Sequence, residues 1–215
     1  MLSKLHKVFR ESKISQGTTI LIFIKHLYYL LFHSKKLYIT DNTTIKGVRN
    51  IISKFPLYIG TNYVGFTNNK DITHINIGGK MILHSPYQIG KGCRIDIGKD
   101  AVVEIGSGGY INPFTKIIIM NGLIIGKNCS VSWDVQFLDE DFHHILYANK
   151  VPKDKKIIIK DKVWIGCGVK IYQGTTIPNG CVIASDAVVR GVFEKENCII
   201  AGNPAKIIKE NIKWQ

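Results

Sequence analysis

The chain has 215 residues, 45% of them apolar, which is enough for one well-buried domain. Lys and Arg outnumber Asp and Glu by 29 to 16, and residues 1–56 alone carry ten basic side chains against Glu11 and Asp41. That balance suits an anionic membrane or a phosphorylated ligand; without a zinc-finger or RRM pattern, nucleic acid is not an expected partner. Cys93, Cys129, Cys167, Cys181 and Cys198 are odd in number, widely spaced and lack any C-x-x-C, so neither a disulfide framework nor a zinc site is signalled. Reduced thiols of this kind point to the cytoplasm.

Residues 1–36 form a basic, apolar N-terminal segment. From Thr18 to Phe32 it reads TTILIFIKHLYYLLF, short of the roughly 20 apolar residues a spanning helix needs. No small-residue cleavage site follows, so a secretory signal is not expected. Two readings remain open: a helix capping the first turn of a solenoid, or an anchor lying in an anionic membrane surface.

From residue 37 to 200 the chain is β-rich and periodic. Ile159, Ile165, Ile171, Ile177, Ile183 and Val189 recur every six residues, and Val163, Val169, Thr175, Cys181 and Ala187 follow the first five by four. A fixed six-residue period is the rhythm of a parallel β-helix. Each side supplies a short strand and a corner, and three sides close a coil. The Ile-Gly pairs at residues 59 and 77 lie eighteen apart and read as one full coil; those at 105 and 125 lie twenty apart and imply a swollen corner. The rhythm stops between Phe137 and Ile159, which predicts an extruded loop over residues 138–158. It stops again near the end, where residues 201–215 read as a turn at Gly202-Asn203-Pro204 followed by a short C-terminal helix.

The extruded loop holds His143 and His144 behind Asp139, Glu140 and Asp141. Histidine beside a carboxylate is the common general-base arrangement, the carboxylate fixing the tautomer. Asp139 or Asp141 could serve His143; a merely solvated, charged loop is the alternative. A zinc site recruiting His74 or His84 is a rival, but adjacent histidines on a strand face opposite ways, and no metal is expected. Trp164, just before Ile165-Gly166, should point outward as a binding wall or an oligomer contact. Arg190, Lys206 and Lys209 surround the last coils, where cations would suit phosphates.

Hexad coils, an extruded loop carrying DEDFHHI, then VWIG at 163–166 and AGNPAK at 201–206 together resemble the hexapeptide-repeat O-acetyltransferases. The loop is most similar to that of members acting on bacterial surface polysaccharides, including sialic acid capsules. The resemblance covers roughly residues 59–209. It implies a left-handed coil, acetyl-CoA as co-substrate, a carbohydrate acceptor, and a homotrimer with sites between subunits. By position His143 is the base and Trp164 flanks the acetyl or acceptor pocket. Gly166, Cys167, Ala184 and Ser185 run along the pantetheine arm, and Arg190, Lys206 and Lys209 lie near the CoA phosphates. The expected function is acetyl transfer to a hydroxyl of a capsule or lipopolysaccharide sugar, in the cytoplasm or at the inner membrane face. Acetylation of a small acceptor (a free sugar, serine or an antibiotic) and a non-catalytic scaffold are the alternatives. A γ-type carbonic anhydrase shares the fold but needs three metal histidines.

Overall fold

The computed structural model describes His6, Phe9, residues 18–62, Gly65, residues 67–143 and residues 154–215. Among these residues the strands form three sheets, here faces A, B and C, of nine, seven and six strands. The chain visits A, B and C in turn, so strands of one face come from successive coils and pair in parallel: Trp164 with Val182, Lys170 with Val188, and Ile158 with Thr176. These three pairs are eighteen residues apart, as the six-residue rhythm requires.

The inward register is the core. Ile159, Ile165, Ile171, Ile177, Ile183 and Val189 are fully buried, and so are Val163, Val169, Thr175, Cys181 and Ala187 at the corners. Side chains alternate across a strand, so each short strand sends one row inward and one outward. Stacking like on like removes each Ile from water, worth about 1.5–3 kcal/mol per side chain. Cys93 and Cys129 occupy the same inward slots; burial pushes the Cys93 thiol up to about 12 and the Cys129 thiol up to about 11.

The register departs from the reading of Ile59 and Ile77 as one coil. Ile59 pairs on face A with Ile89, thirty residues on, whereas Ile77 pairs on face B with Ile97. The cause is a first interruption, between the face A strand Leu57–Thr61 and the face B strand Thr73–Ile77. The second lies between the face B strand Gln136–Leu138 and the face C strand Ile157–Ile159. The first therefore stands at the edge shared by faces A and B, the second at the edge shared by B and C.

Helix α1 (Thr19–His33) lies over the first coil. It buries Ile22 and His26; the His26 Nδ1–H donates to the Leu37 carbonyl at 2.9 Å, and the ring stacks on Tyr38. Lys25 Nζ donates to the carbonyls of Thr40 and Asp41. Ser34 ends the helix in the left-handed region, its N–H on the Leu30 carbonyl. Capping the coil is thus one thing the apolar segment does.

At the other end the expected short C-terminal helix is absent. Residues Ala205–Lys209 form a strand instead, antiparallel to Ile199–Gly202 and hairpinned through Asn203-Pro204. Ala205 and Ile207 pack against the core while Lys206 and Ile208 face out. That period of two suits a strand better than a helix, and the unpaired edge of face A supplies the partner.

Candidate active site

The second interruption is fastened at its root by Asp139. Its side chain is fully buried, and its carboxylate accepts from the backbone N–H groups of Met120, Asn121 and Gly122 at 2.6, 2.8 and 2.7 Å. Hydrogen bonds to a charged acceptor are worth about 1.5–3 kcal/mol each, so this residue ties the loop to the corner below. It does not touch His143, contrary to one of the two sequence expectations. Glu140 adds a clamp, with Lys155 Nζ 2.6 Å from Oε2. The Lys155 hydrogen bond holds the Glu140 carboxyl below its ordinary range.

Beyond the root, Asp141 accepts from Gln173 Nε2 on the next coil, and Phe142 turns the chain with φ +60°. His143 follows, exposed, with Nδ1 3.3 Å from the carbonyl oxygen of Asp141. A carbonyl only accepts, so Nδ1 is the donor in this contact, which leaves Nε2 for a second partner. A carboxylate was the expected orienting group; the structure supplies the main-chain carbonyl of Asp141 instead. His144 lies outside the described residues. His74 and His84, the metal candidates, have partners of their own on lower coils: Thr44 Oγ1 and Glu104 Oε1, both at 2.8 Å.

Trp164 is on face A, its indole exposed and its Nε1–H donated to Ser132 Oγ at 3.2 Å. A second indole lies beside it. Trp214 sits with its ring centroid 6.2 Å away, held by an Nε1–H bond to the Lys162 carbonyl. The sequence offered no signal for Trp214, because the tail has no rhythm to place it.

Gly166 and Cys167 turn the chain from face A to face B, and Ala184 and Ser185 do the same one coil later. A Cβ on Gly166 would lie 2.7 Å from the Ser185 nitrogen, so only glycine lets these corners touch. The Cys167 thiol donates to Ser185 Oγ at 3.2 Å. Lys206 and Lys209 stand exposed on the last strand of face A. Arg190 does not join them: it lies at the edge between B and C, its guanidinium 4.1 Å from the Tyr172 ring centroid. Within one chain the candidates therefore fall into two groups. His143, Asp141 and Arg190 share one edge; Trp164, Gly166, Cys167, Ala184, Ser185, Lys206 and Lys209 share face A and its edge with B.

No protein-family model matches the chain. An uncharacterised 24.8 kDa protein in the cps region of Klebsiella pneumoniae is 42% identical over 94% of this chain and 91% of its own length. A putative acetyltransferase of Dictyostelium discoideum is 32% identical over 79% of this chain and 86% of its own. Among solved structures, the polysialic acid O-acetyltransferase OatWY superposes with a TM-score of 0.58 at 27% identity, over 83% of this chain and 90% of that one. With six-residue coils on three parallel faces and relatives spanning nearly the whole length, the chain belongs to the hexapeptide-repeat acetyltransferases, enzymes built on a left-handed β-helix.

Proposed function

We propose that the protein moves an acetyl group from acetyl-CoA to a hydroxyl of a bacterial surface polysaccharide or its precursor. The geometry of His143 carries the reading. A sugar hydroxyl is a weak nucleophile at neutral pH and needs a base as it attacks the thioester. Nε2 of His143 takes the hydroxyl proton as the new C–O bond forms. The tetrahedral oxyanion is met by a main-chain N–H, and the imidazolium returns its proton to the departing CoA thiolate. Asp141 orients the ring through its carbonyl, and Asp139 is a positioning residue that holds the loop. The polysaccharide acceptor is supported by the likeness to a polysialic acid O-acetyltransferase and by the relative in a cps region.

The two groups of residues meet only if a second copy lends its edge. In a homotrimer the B/C edge of one subunit, with His143 and Arg190, would face the A/B edge of the next. Gly166, Cys167, Ala184 and Ser185 would line the pantetheine arm there, with Trp164 at the acetyl end. Lys206 and Lys209 on one side and Arg190 on the other would take the phosphates. The test is release of free CoA by wild-type protein and by His143→Ala across capsule and lipopolysaccharide acceptors. Wild-type turnover that survives in a still-trimeric His143→Ala variant would sink the assignment.

Helix α1 supports a peripheral membrane location. Opposite Ile22 and His26 it exposes Ile20, Ile24, Leu27, Leu31 and Phe32, the last two at 73% and 72%. No helix among the described residues is long and apolar enough to cross a membrane. An apolar helical face with basic sequence before and after it suits the surface of an anionic bilayer. Phosphatidylglycerol vesicles should carry the protein upward in flotation, phosphatidylcholine vesicles should not, and Leu31→Glu with Phe32→Glu should abolish the effect.

A further inference from the structure

The corner above the second interruption grips both of its limbs. Leu138 and Tyr172 are register partners on face B, so the residues that follow them, Asp139 and Gln173, leave that face on successive coils. Asp139 ties the outgoing limb to the corner below. Gln173 reaches the same limb from above, its Nε2–H donated to the Asp141 carboxylate. The next residue takes the returning limb: the Gly174 N–H donates to the Lys155 carbonyl at 3.0 Å. Gly174 has φ +70°, and a Cβ there would lie 2.9 Å from the Asp154 carbonyl oxygen. Only glycine fits so close an approach in that conformation.

Asp141 is fastened differently from its neighbours. Asp139 has three main-chain donors, and Glu140 has the Lys155 ammonium. Among the described residues the Asp141 carboxylate has one donor, the uncharged Gln173 amide. The main-chain carbonyl of Asp141 accepts from His143 Nδ1 at 3.3 Å, across the left-handed turn at Phe142. Side chain and carbonyl belong to one residue, so holding the first limits the swing of the second. The His143 ring that rests on that carbonyl then keeps one direction, and with it Nε2. A small misplacement of a catalytic group costs rate even when binding is intact.

We propose that Gln173 is a positioning residue for His143, acting through Asp141: the amide tethers the Asp141 side chain to the coil above, and the Asp141 carbonyl aims the ring. The proposal rests on the reading of His143 as the base and adds the element that points it. A tether of this kind can be reversed. With Asp141→Asn and Gln173→Glu together, the carboxylate stands on the coil above and the amide on the loop. The same hydrogen bond then forms with donor and acceptor exchanged.

Acetyl transfer by the full-length protein at one pH is the first test. Gln173→Ala should lower kcat about tenfold and leave the acetyl-CoA KM where it was. Gln173→Glu sets two carboxylates against each other and should lower kcat at least as far. Adding Asp141→Asn to Gln173→Glu should recover most of that loss, which a merely structural side chain would not do. A wild-type kcat in Gln173→Ala, or a double variant no faster than Gln173→Glu alone, overturns the proposal and leaves the assignment of His143 intact. The second test needs no turnover. With isotopically labelled histidine followed by NMR, the His143 ring, assigned by its absence in His143→Ala, should show Nδ1–H in the wild type and the double variant. In Gln173→Ala its tautomer balance should shift. A ring signal identical in wild type and Gln173→Ala overturns the proposal. The expected pattern in a protein that transfers no acetyl group supports Gln173 as the residue that orients the ring, and sinks the catalytic reading of His143 alone.

Discussion

The two interruptions of the coil do opposite things with the same opportunity. Both leave the stack at a corner, where an insertion costs no inward Ile. The first emerges between faces A and B and lies over an aromatic, basic groove. The second emerges between B and C and is tied down by Asp139, Glu140 and Gln173 before it presents His143. One shapes a surface; the other fixes the direction of a single ring nitrogen. The difference teaches that extrusion by itself says little about chemistry. What distinguishes the second loop is that its fastened carboxylates stand directly ahead of an exposed histidine.

The strongest way to break that contrast is to remove the histidine. His143→Ala should lower kcat by about 10²–10⁴-fold while leaving thermal unfolding unchanged, because the side chain is exposed. A drop in Tm would mean that His143 belongs to the fold. Next in size, Asp139→Ala leaves three backbone N–H groups unanswered at a partly buried corner. It should cost about 3 kcal/mol by thermal or urea unfolding, with activity falling as the loop loses its root; a neutral result would remove the distinction between the two insertions. Trp214→Ala should be milder, raising the KM for acetyl-CoA about threefold, since it strips one stacking partner from Trp164 and leaves the coils intact. The smallest effect concerns pH. The Glu140 carboxyl is held low by Lys155, so its contribution is complete above the ordinary carboxylate value and is lost as pH falls through the lowered one. Hydrogen-exchange protection at Lys155 to Ile157, taken relative to the intrinsic rate at each pH, should fall on acidification, and Glu140→Gln should flatten the response.

Much of the architecture was legible because it repeats. Six-residue spacing from Ile159 to Val189 placed two inward rows of the last coils, and the break after Phe137 marked the loop with His143. Legibility failed where repetition did. The eighteen residues from Ile59 to Ile77 imitated a coil by coincidence, since an insertion hid inside a thirty-residue step. The tail was misread as a helix because its strand depends on an edge that only the folded stack provides. Asp139 and Asp141 were equivalent on paper; burial and three backbone donors separate them, and neither is a property of sequence spacing.

The inward cysteines lead somewhere else. Burial keeps the thiols of Cys93 and Cys129 protonated at physiological pH, and Cys181 and Cys198 are buried too. An alkylating reagent needs a thiolate it can reach. Cys167, partly open on the corner beside Ser185, is therefore the residue such a reagent should mark first in the native protein. The stack thus leaves one position for a selective label, and if the proposed donor groove passes Cys167, acetyl-CoA should slow that labelling without any acceptor present.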